Sequence, residues 1–198
     1  MNDEEKRNDS GRPGKEGSDL NDQGILFLNG EITDESARSI CQDIIALNLK
    51  GKVPRIQLLV QSQGGSCTAG FAIIDLMEWS RIPVYTTGLG MLASMGLLVF
   101  MAGHRGHRTL LPRNFLLSHR FSTAYAGNHS QLLAARKMQD LVHERIVAHY
   151  LAYSNVRDRT KLEETLLRDV DTWLTPEEAV EYGLADVVEP SFPEREGF

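Results

Sequence analysis

The stretch Ile56-Gln-Leu-Leu-Val-Gln-Ser-Gln-Gly-Gly65 decides the fold prediction for this chain. Its first five residues indicate a buried strand, and the polar residues and glycines after them indicate a turn. Residues 84–87 predict the next strand. The segment between the two strands has apolar residues at helical spacing: Ala69, Ala72, Ile73, Leu76 and Met77. A strand, a helix and a strand in this order predict a right-handed crossover between parallel strands.

The same alternation extends towards the N-terminus and continues beyond residue 87. Gly24–Gly30 is a short apolar run closed by turn residues, which predicts a strand. Thr33 can cap the next helix. That helix carries apolar residues on one broad face: Ile40, Cys41, Ile44, Ile45 and Leu47. A further helix begins near Ser94, after the third strand. We therefore predict an α/β domain whose mostly parallel sheet is covered by helices on both faces.

The C-terminal half adds one strand and three helices. The run Phe115–Ser118 predicts a strand that ends at His119. Apolar residues at helical spacing predict a long helix over about 130–153 and a shorter one over about 160–167. The run 175–178 is a capping box with proline at the first helical position, so a last helix begins there.

Composition and charge limit the class of protein. The chain has 198 residues, 41% of them hydrophobic and 24% charged, which fits one domain. Residues 1–23 are hydrophilic and are expected to form a disordered tail, residues 24–190 the domain, and residues 191–198 a short second tail. With no apolar signal-peptide core and no run that spans a bilayer, we expect a soluble, cytoplasmic protein without a membrane partner. A formal net charge of -6 with scattered basic residues argues against a nucleic-acid partner.

Ser94 is the candidate for covalent chemistry. It stands between small residues where a strand meets a helix, so its hydroxyl would be accessible and nearby backbone N–H groups could stabilise an oxyanion. The competing interpretation is that Ser94 simply caps its helix. Nucleotide binding has weak support, because neither Gly-x-Gly-x-x-Gly nor Gly-Lys-Ser/Thr is present.

The remaining histidines and the two cysteines point to structural roles. His104 and His107 lack a nearby cysteine or carboxylate to complete a metal site, so we interpret residues 104–108 as a solvated turn. Cys41 is predicted to be a core residue, and nothing beside Cys67 would lower the pKa of its thiol. Three further histidines are predicted to lie on helix surfaces: His129, His143 and His149.

Four segments together resemble the ClpP family, the proteolytic subunits of the Clp proteases. The run Gly90-Met-Leu-Ala-Ser-Met-Gly96 is similar to the family's nucleophile motif. The other segments resemble its glycine loop, the segment of its histidine and the segment of its aspartate: Ser62–Gly65 with Thr68–Gly70, Leu111–Asn114 with His119, and Asp171–Thr175 with Glu178–Leu184. The resemblance covers about residues 24–188.

The resemblance implies a serine endopeptidase with a Ser-His-Asp triad. The implied roles are Ser94 as nucleophile, His119 as general base, Asp171 as orienting carboxylate, and the backbone N–H groups of Gly65 and Met95 as the oxyanion hole. Asp169 competes with Asp171, and the Trp-Leu-Thr that follows favours Asp171. Hydrolysis would need no cofactor or metal, and only a partner unfoldase would consume ATP.

The resemblance also implies a fold and an assembly. The fold would be ClpP/crotonase-like, with flanking helices and a protruding helical handle formed by the long helix from Ser130. Handles would pair two seven-membered rings into a tetradecamer, whose chamber admits peptides and unfolded proteins. An AAA+ unfoldase would dock near Gln57, Leu59 and Trp79.

Three departures from the family pattern concern control of the site. Arg120-Phe121 stands where the family usually has Gln-Pro, residues 61–63 replace Asn-Ser-Pro, and Val170 replaces an arginine. The first two flank the cleft that the resemblance implies, so we expect an altered cleavage preference. The third removes the arginine that in the family couples ring contacts to alignment of the triad. The main alternative is a catalytically weak or inactive ring subunit with a structural or regulatory role. A crotonase-type thioester enzyme and a membrane-associated Ser-Lys peptidase are further alternatives.

Overall fold

The computed structural model describes residues 20–190. Of the predicted tails, 1–23 and 191–198, residues 1–19 and 191–198 lie outside the described residues, and residues 20–22 form a helical turn. The elements that follow are, in chain order, β1 Ile25–Ile32, α1 Asp34–Lys50, β2 Ile56–Gly65, α2 Cys67–Trp79, β3 Val84–Ala93, α3 Met95–Met101, β4 Arg108–Leu110, β5 Phe115–Ser118, α4 His129–Tyr153, α5 Arg159–Thr165, β6 Thr172–Leu174, α6 Pro176–Glu181 and β7 Val187–Val188.

The strands form a mostly parallel sheet, as the sequence predicts. Its main path runs β1-β2-β3-β4-β7, with every neighbouring pair parallel. The long strand β3 pairs with β4 along its first half and with β5 along its second half. Strand β6 then pairs with β5 in the antiparallel direction, which the sequence did not predict. The sheet therefore forks at β3, and one branch carries the segments around His119 and Asp171.

Only one face of the central sheet is buried, so the expectation of helices on both faces is wrong. In β1 and β2, Leu26 and Leu58 are fully buried, whereas Phe27 is exposed and its register partner Leu59 is half-buried. The topology gives the reason. Strands β1 to β4 are added in one direction, and right-handed crossovers that all advance in one direction place their helices on the same face.

Strands β2 and β3 continue through the residues that the sequence assigns to turns. Gln61 pairs with Asn29 of β1, and Gly88 pairs with Val60. Strand β2 therefore ends at Gly65, and β3 ends immediately before Ser94. Polar residues and glycines are tolerated there because neighbouring strands on both sides supply their backbone hydrogen bonds.

The helices follow their local signals closely. The predicted capping box at Thr175 is confirmed: its hydroxyl accepts from the Glu178 N–H at 3.2 Å, and the Thr175 N–H donates to the Glu178 carboxylate at 2.8 Å. Ile45, which we assigned to the apolar face of α1, is exposed. The first three turns of α4 are largely exposed and its buried positions begin at Val142, so this helix protrudes. Within residues 20–190, no helix is long and apolar enough to cross a membrane.

Residues 104–107 form the exposed turn that the sequence indicates, but Arg108 begins β4 and is buried. Arg108 is only 4% exposed and pairs with Asp186, with Nη2 and Oδ1 2.6 Å apart. It also donates to the carbonyl of Tyr153 at 2.8 Å, and Arg105 donates to the carbonyl of Ala152. The last carbonyls of α4 are thus bound by guanidinium groups, which suits the negative end of a helix dipole.

Candidate active site

Ser94 has a backbone conformation that residues other than glycine rarely adopt. It directly follows β3, and its φ of 53° and ψ of -125° make it the one non-glycine residue with positive φ among residues 20–190. Such a conformation costs about 1–3 kcal/mol and persists where the surrounding structure enforces it, often at functional sites. The Ser94 N–H donates to the carbonyl of Leu117 at 3.0 Å, which ties the serine to β5.

The Ser94 side chain does not cap α3. The backbone carbonyl of Ser94 accepts from the Leu97 N–H at 3.1 Å, but the Ser94 hydroxyl makes no capping hydrogen bond. The alternative in which this serine serves only as a helix cap is therefore wrong. Its hydroxyl is left free for other chemistry.

The glycine loop passes directly against the serine. Gly64 has φ +97°, and a Cβ atom on it would lie 2.8 Å from the Cβ of Ser94 and 3.1 Å from the nitrogen of Met95. Gly65 has φ +145°, and a side chain there would collide with the carbonyl oxygen of Ile32. Both positions require glycine, because an L side chain would meet backbone at each of them.

The two predicted oxyanion donors come from the two elements that meet at this contact. Met95 is the first residue of α3, so its N–H has no acceptor within the helix. Gly65 is the last residue of β2 and pairs with Ile32 of β1. The structure thus brings the end of β2 and the start of α3 together around Ser94.

His119 and Asp171 face each other where β5 ends and β6 begins. The register pairs Ser118 with Thr172, so the next residues outward are His119 and Asp171. Their Nδ1 and Oδ1 atoms are 3.9 Å apart, and their side chains are 24% and 59% exposed. That separation exceeds hydrogen-bond distance, so the two groups are adjacent but not engaged.

The other ring nitrogen of His119 is buried without a partner. Nε2 has no hydrogen-bond partner among the described residues. Most buried polar atoms are satisfied, because leaving one unpaired costs about 1–3 kcal/mol. The register that pairs Ala93 of β3 with Leu117 of β5 brings the ends of these strands, and with them Ser94 and His119, to the same edge of the sheet.

The structure separates the two candidate aspartates. Asp169 is 86% exposed and pairs with Arg120, with Oδ1 and Nη1 3.2 Å apart. Asp171 is the carboxylate that lies beside His119. The role of Asp171 as the orienting carboxylate stays a prediction.

A buried hydroxyl pair behind His119 escaped the sequence prediction. Ser118 Oγ donates to the carbonyl of Leu166 at 2.7 Å and lies 2.7 Å from the hydroxyl of Tyr150, which must then donate to Ser118. Burial raises the pKa of Tyr150 to about 12, so its proton stays available for this bond. Tyr150 shares an apolar helix face with Ile146 and Val147. This pattern indicates that Tyr150 is buried, but it does not indicate that its hydroxyl binds Ser118.

The other histidines divide differently from the prediction. His149 is buried in α4, with Nε2 2.9 Å from the carbonyl of Leu98, so its assignment to a helix surface is wrong. His129 is exposed and His143 is half-buried. His107 stacks on Tyr85 with ring centroids 3.8 Å apart. In the described part of the chain, no group of three or more His, Cys, Asp or Glu could hold a metal ion.

The two cysteines are free and half-buried. Cys41 packs against the core, and its Sγ lies 3.7 Å from the carbonyl oxygen of Ala72. Burial raises the pKa of each thiol, so neither is activated as a nucleophile.

The surface predicted to receive an unfoldase is partly apolar. Trp79, at the end of α2, is 75% exposed. Leu59 is half-buried on the uncovered sheet face, beside exposed Phe27. Gln57 is half-buried, and its amide donates to Thr87 Oγ1 at 2.9 Å.

Comparison with known proteins agrees with this architecture. The sequence model of the Clp protease family matches residues 11–191 of the chain. The ATP-dependent Clp protease proteolytic subunit 2 of Cutibacterium acnes is 35% identical over 167 residues, which make up 83% of this chain and 76% of that protein.

Proposed function

Because this chain belongs to the Clp protease family, we propose that it is a ClpP-type serine endopeptidase of the cytoplasm that cleaves peptides and unfolded proteins inside a ring-shaped chamber. One observation carries the proposal. A strained serine with a free hydroxyl lies at the end of β3, and a histidine with an orphaned Nε2 lies at the end of the neighbouring strand β5, beside Asp171.

In this proposal, Ser94 attacks the substrate carbonyl and its proton passes to Nε2 of His119. The backbone N–H groups of Gly65 and Met95 donate to the oxyanion that forms. The peptide C–N bond breaks as His119 returns the proton to the leaving amine. Water then attacks the acyl-enzyme as His119 takes its proton; the ester C–O bond breaks, the acid product leaves, and His119 returns the proton to the oxygen of Ser94.

Asp171 would orient His119 and stabilise the imidazolium that forms during each step. The 3.9 Å between Nδ1 and Oδ1 must shorten by about 1 Å to make that hydrogen bond. Catalytic hydrogen bonds are often long in a free enzyme and tighten when substrate binds. Substrate binding or ring assembly would supply the closing movement here.

Two exposed apolar surfaces support a ring assembly. One is the uncovered sheet face with Phe27 and Leu59, and the other is the protruding part of α4. The exposed apolar side chains of α4 are Leu132, Leu133, Met138 and Leu141. Apolar patches of this kind usually mark protein contacts. We propose that they build heptameric rings and join two rings into a tetradecamer.

The same proposal includes an ATP-dependent partner. An AAA+ unfoldase would dock near Gln57, Leu59 and Trp79, where exposed Trp79 offers a large apolar contact. Only that partner would consume ATP, and the peptidase itself would need no cofactor.

The second candidate is a catalytically weak or inactive ring subunit. The gap between His119 and Asp171 favours it, as does Val170, which stands before the aspartate where the family usually has an arginine. Both features concern alignment of the site rather than its composition.

Labelling with a fluorophosphonate probe separates the two candidates. The assembled wild-type protein should be labelled and should cleave a short fluorogenic peptide, whereas Ser94→Ala should do neither. Ser122→Ala removes an exposed serine that follows His119 closely in the chain and should leave both activities unchanged. Labelling that persists in Ser94→Ala would refute the nucleophile assignment. An assembled wild type without labelling would favour the inactive subunit, and light scattering that shows a stable monomer would contradict the ring.

A further inference from the structure

Arg120 ties the strand end that carries His119 to the segment that carries Asp171. Its backbone N–H donates to the carbonyl of Arg168 at 3.3 Å. Its Nε donates to the carbonyl of Leu167 at 3.3 Å, and its Nη1 lies 3.2 Å from the carboxylate of Asp169. One residue thus contacts three consecutive residues of the segment 167–169, next to the candidate base.

Leu167 is fully buried, but the four residues that follow it have no buried side chain. Residues 168–171 are all exposed, and Val170 and Asp171 are each more than half exposed. Exposed segments without packed side chains move most readily. Asp171 must nevertheless hold its carboxylate within hydrogen-bond reach of His119 for the proposed mechanism to operate.

A second, buried contact fixes only the beginning of the segment. Ser118 Oγ holds the carbonyl of Leu166, and Tyr150 supports Ser118 from α4. Strand pairing resumes at Thr172. Between these two fixed points, Arg120 joins the segment to the His119 strand through one backbone hydrogen bond, which any residue could make, and through two side-chain contacts, which need the guanidinium.

We infer that Arg120 is a positioning residue that holds the segment 167–169 so that Asp171 faces His119. This inference rests on the proposed peptidase function and adds a residue to its site. A guanidinium suits the task because its planar fork offers Nε to a carbonyl and Nη1 to a carboxylate at once. The family usually has glutamine at this position, and a glutamine side chain is shorter than that of arginine and carries no charge.

The two side-chain contacts should contribute unequally. Arg120 and Asp169 are 41% and 86% exposed, and exposed ion pairs contribute little. The hydrogen bond from Nε to Leu167 acts on the backbone itself, so it constrains the path of the segment more directly. Asp169→Asn should therefore have a small effect, whereas Arg120→Gln should have a large one.

A double-mutant cycle with Asp171 tests the inference. We expect Arg120→Gln to lower both kcat for a short peptide and the rate of fluorophosphonate labelling by about tenfold, with KM changed by less than about twofold. Asp169→Asn should lower kcat by about twofold or less. Since Arg120 acts through Asp171, Arg120→Gln should cause no further loss in an Asp171→Asn background.

Two further variants address folding and charge. Arg157→Gln removes an exposed arginine that also donates to a backbone carbonyl, that of Leu151, and should leave kcat unchanged. Arg120→Lys keeps the positive charge but not the planar guanidinium, so its kcat should lie between those of wild type and Arg120→Gln. The same cycle run with Arg120→Lys decides the question if Arg120→Gln folds poorly.

The outcomes separate this inference from the proposed function. An unlabelled wild type would overturn the proposed function. A labelled wild type with unchanged kcat in Arg120→Gln would overturn only the role of Arg120. If Arg120→Gln lowers kcat equally in the wild-type and Asp171→Asn backgrounds, the role of Arg120 would also be overturned, because Arg120 would then not act through Asp171.

Discussion

Replacing His149 by glutamine should change how the stability of the protein depends on pH. His149 is buried in α4, and its Nε2 lies 2.9 Å from the carbonyl oxygen of Leu98. Burial lowers the pKa of His149 from 6.5 to about 4, against the opposing effect of the Leu98 hydrogen bond, and the charge of Arg108 lowers it further. The folded protein therefore keeps this imidazole neutral, with Nε2–H as donor, at every pH above about 4.

The sign and size of the effect follow from proton linkage. The unfolded chain binds a proton at His149 below about pH 6.5, whereas the folded chain binds it only below about pH 4. The free energy of unfolding should therefore fall as the pH drops from 6.5 to 4 and stay level above that range. The full contribution is about 3 kcal/mol, of which about 2 kcal/mol is lost between pH 7 and pH 5.

Urea unfolding of wild type and His149→Gln at a series of pH values measures this contribution. Glutamine has no charge in this range, and its amide N–H can still donate to Leu98. We expect the wild type to lose about 2 kcal/mol more than the variant between pH 7 and pH 5. His129→Gln, at an exposed position on the same helix, should leave the wild-type pH dependence unchanged. Identical pH dependence in wild type and His149→Gln would refute the reasoning.

Three other substitutions have expected outcomes. Asp186→Asn leaves the buried Arg108 guanidinium without its counter-charge and should lower the free energy of unfolding by about 3 kcal/mol, measured by urea unfolding; an unchanged urea midpoint would contradict this. Gly64→Ala should abolish fluorophosphonate labelling, because its methyl group would lie against the proposed nucleophile, while Gly30→Ala, with φ +88° and no neighbour within 4 Å, should keep it. Tyr150→Phe should cost about 1–3 kcal/mol in thermal unfolding, since it leaves a buried partner hydroxyl one hydrogen bond short, and full stability would argue against that bond.

The elements that the sequence predicts well depend on residues close together in the chain. Strand β5 begins and ends at the predicted residues, and the long helix and the capping box at Thr175 lie where their patterns indicate. Alternation, helical spacing and capping act over a few residues, so they can be seen without a partner. The family resemblance and the candidates Ser94, His119 and Asp171 likewise come from short motifs, and their catalytic roles remain predictions.

The tertiary structure alone decided how distant segments meet. The order of the strands left one face of the sheet uncovered. Pairing with β2 on one side and β5 on the other extended β3 as far as the residue before Ser94. The contacts of Arg108 with Asp186 and of Arg120 with Leu167 join residues far apart in the chain. No periodicity or motif around either arginine specifies such a partner, because the approach depends on the path of the whole chain. The sequence therefore determined the local elements and the residue types of the site, while three-dimensional packing determined which of those residues can act on one another.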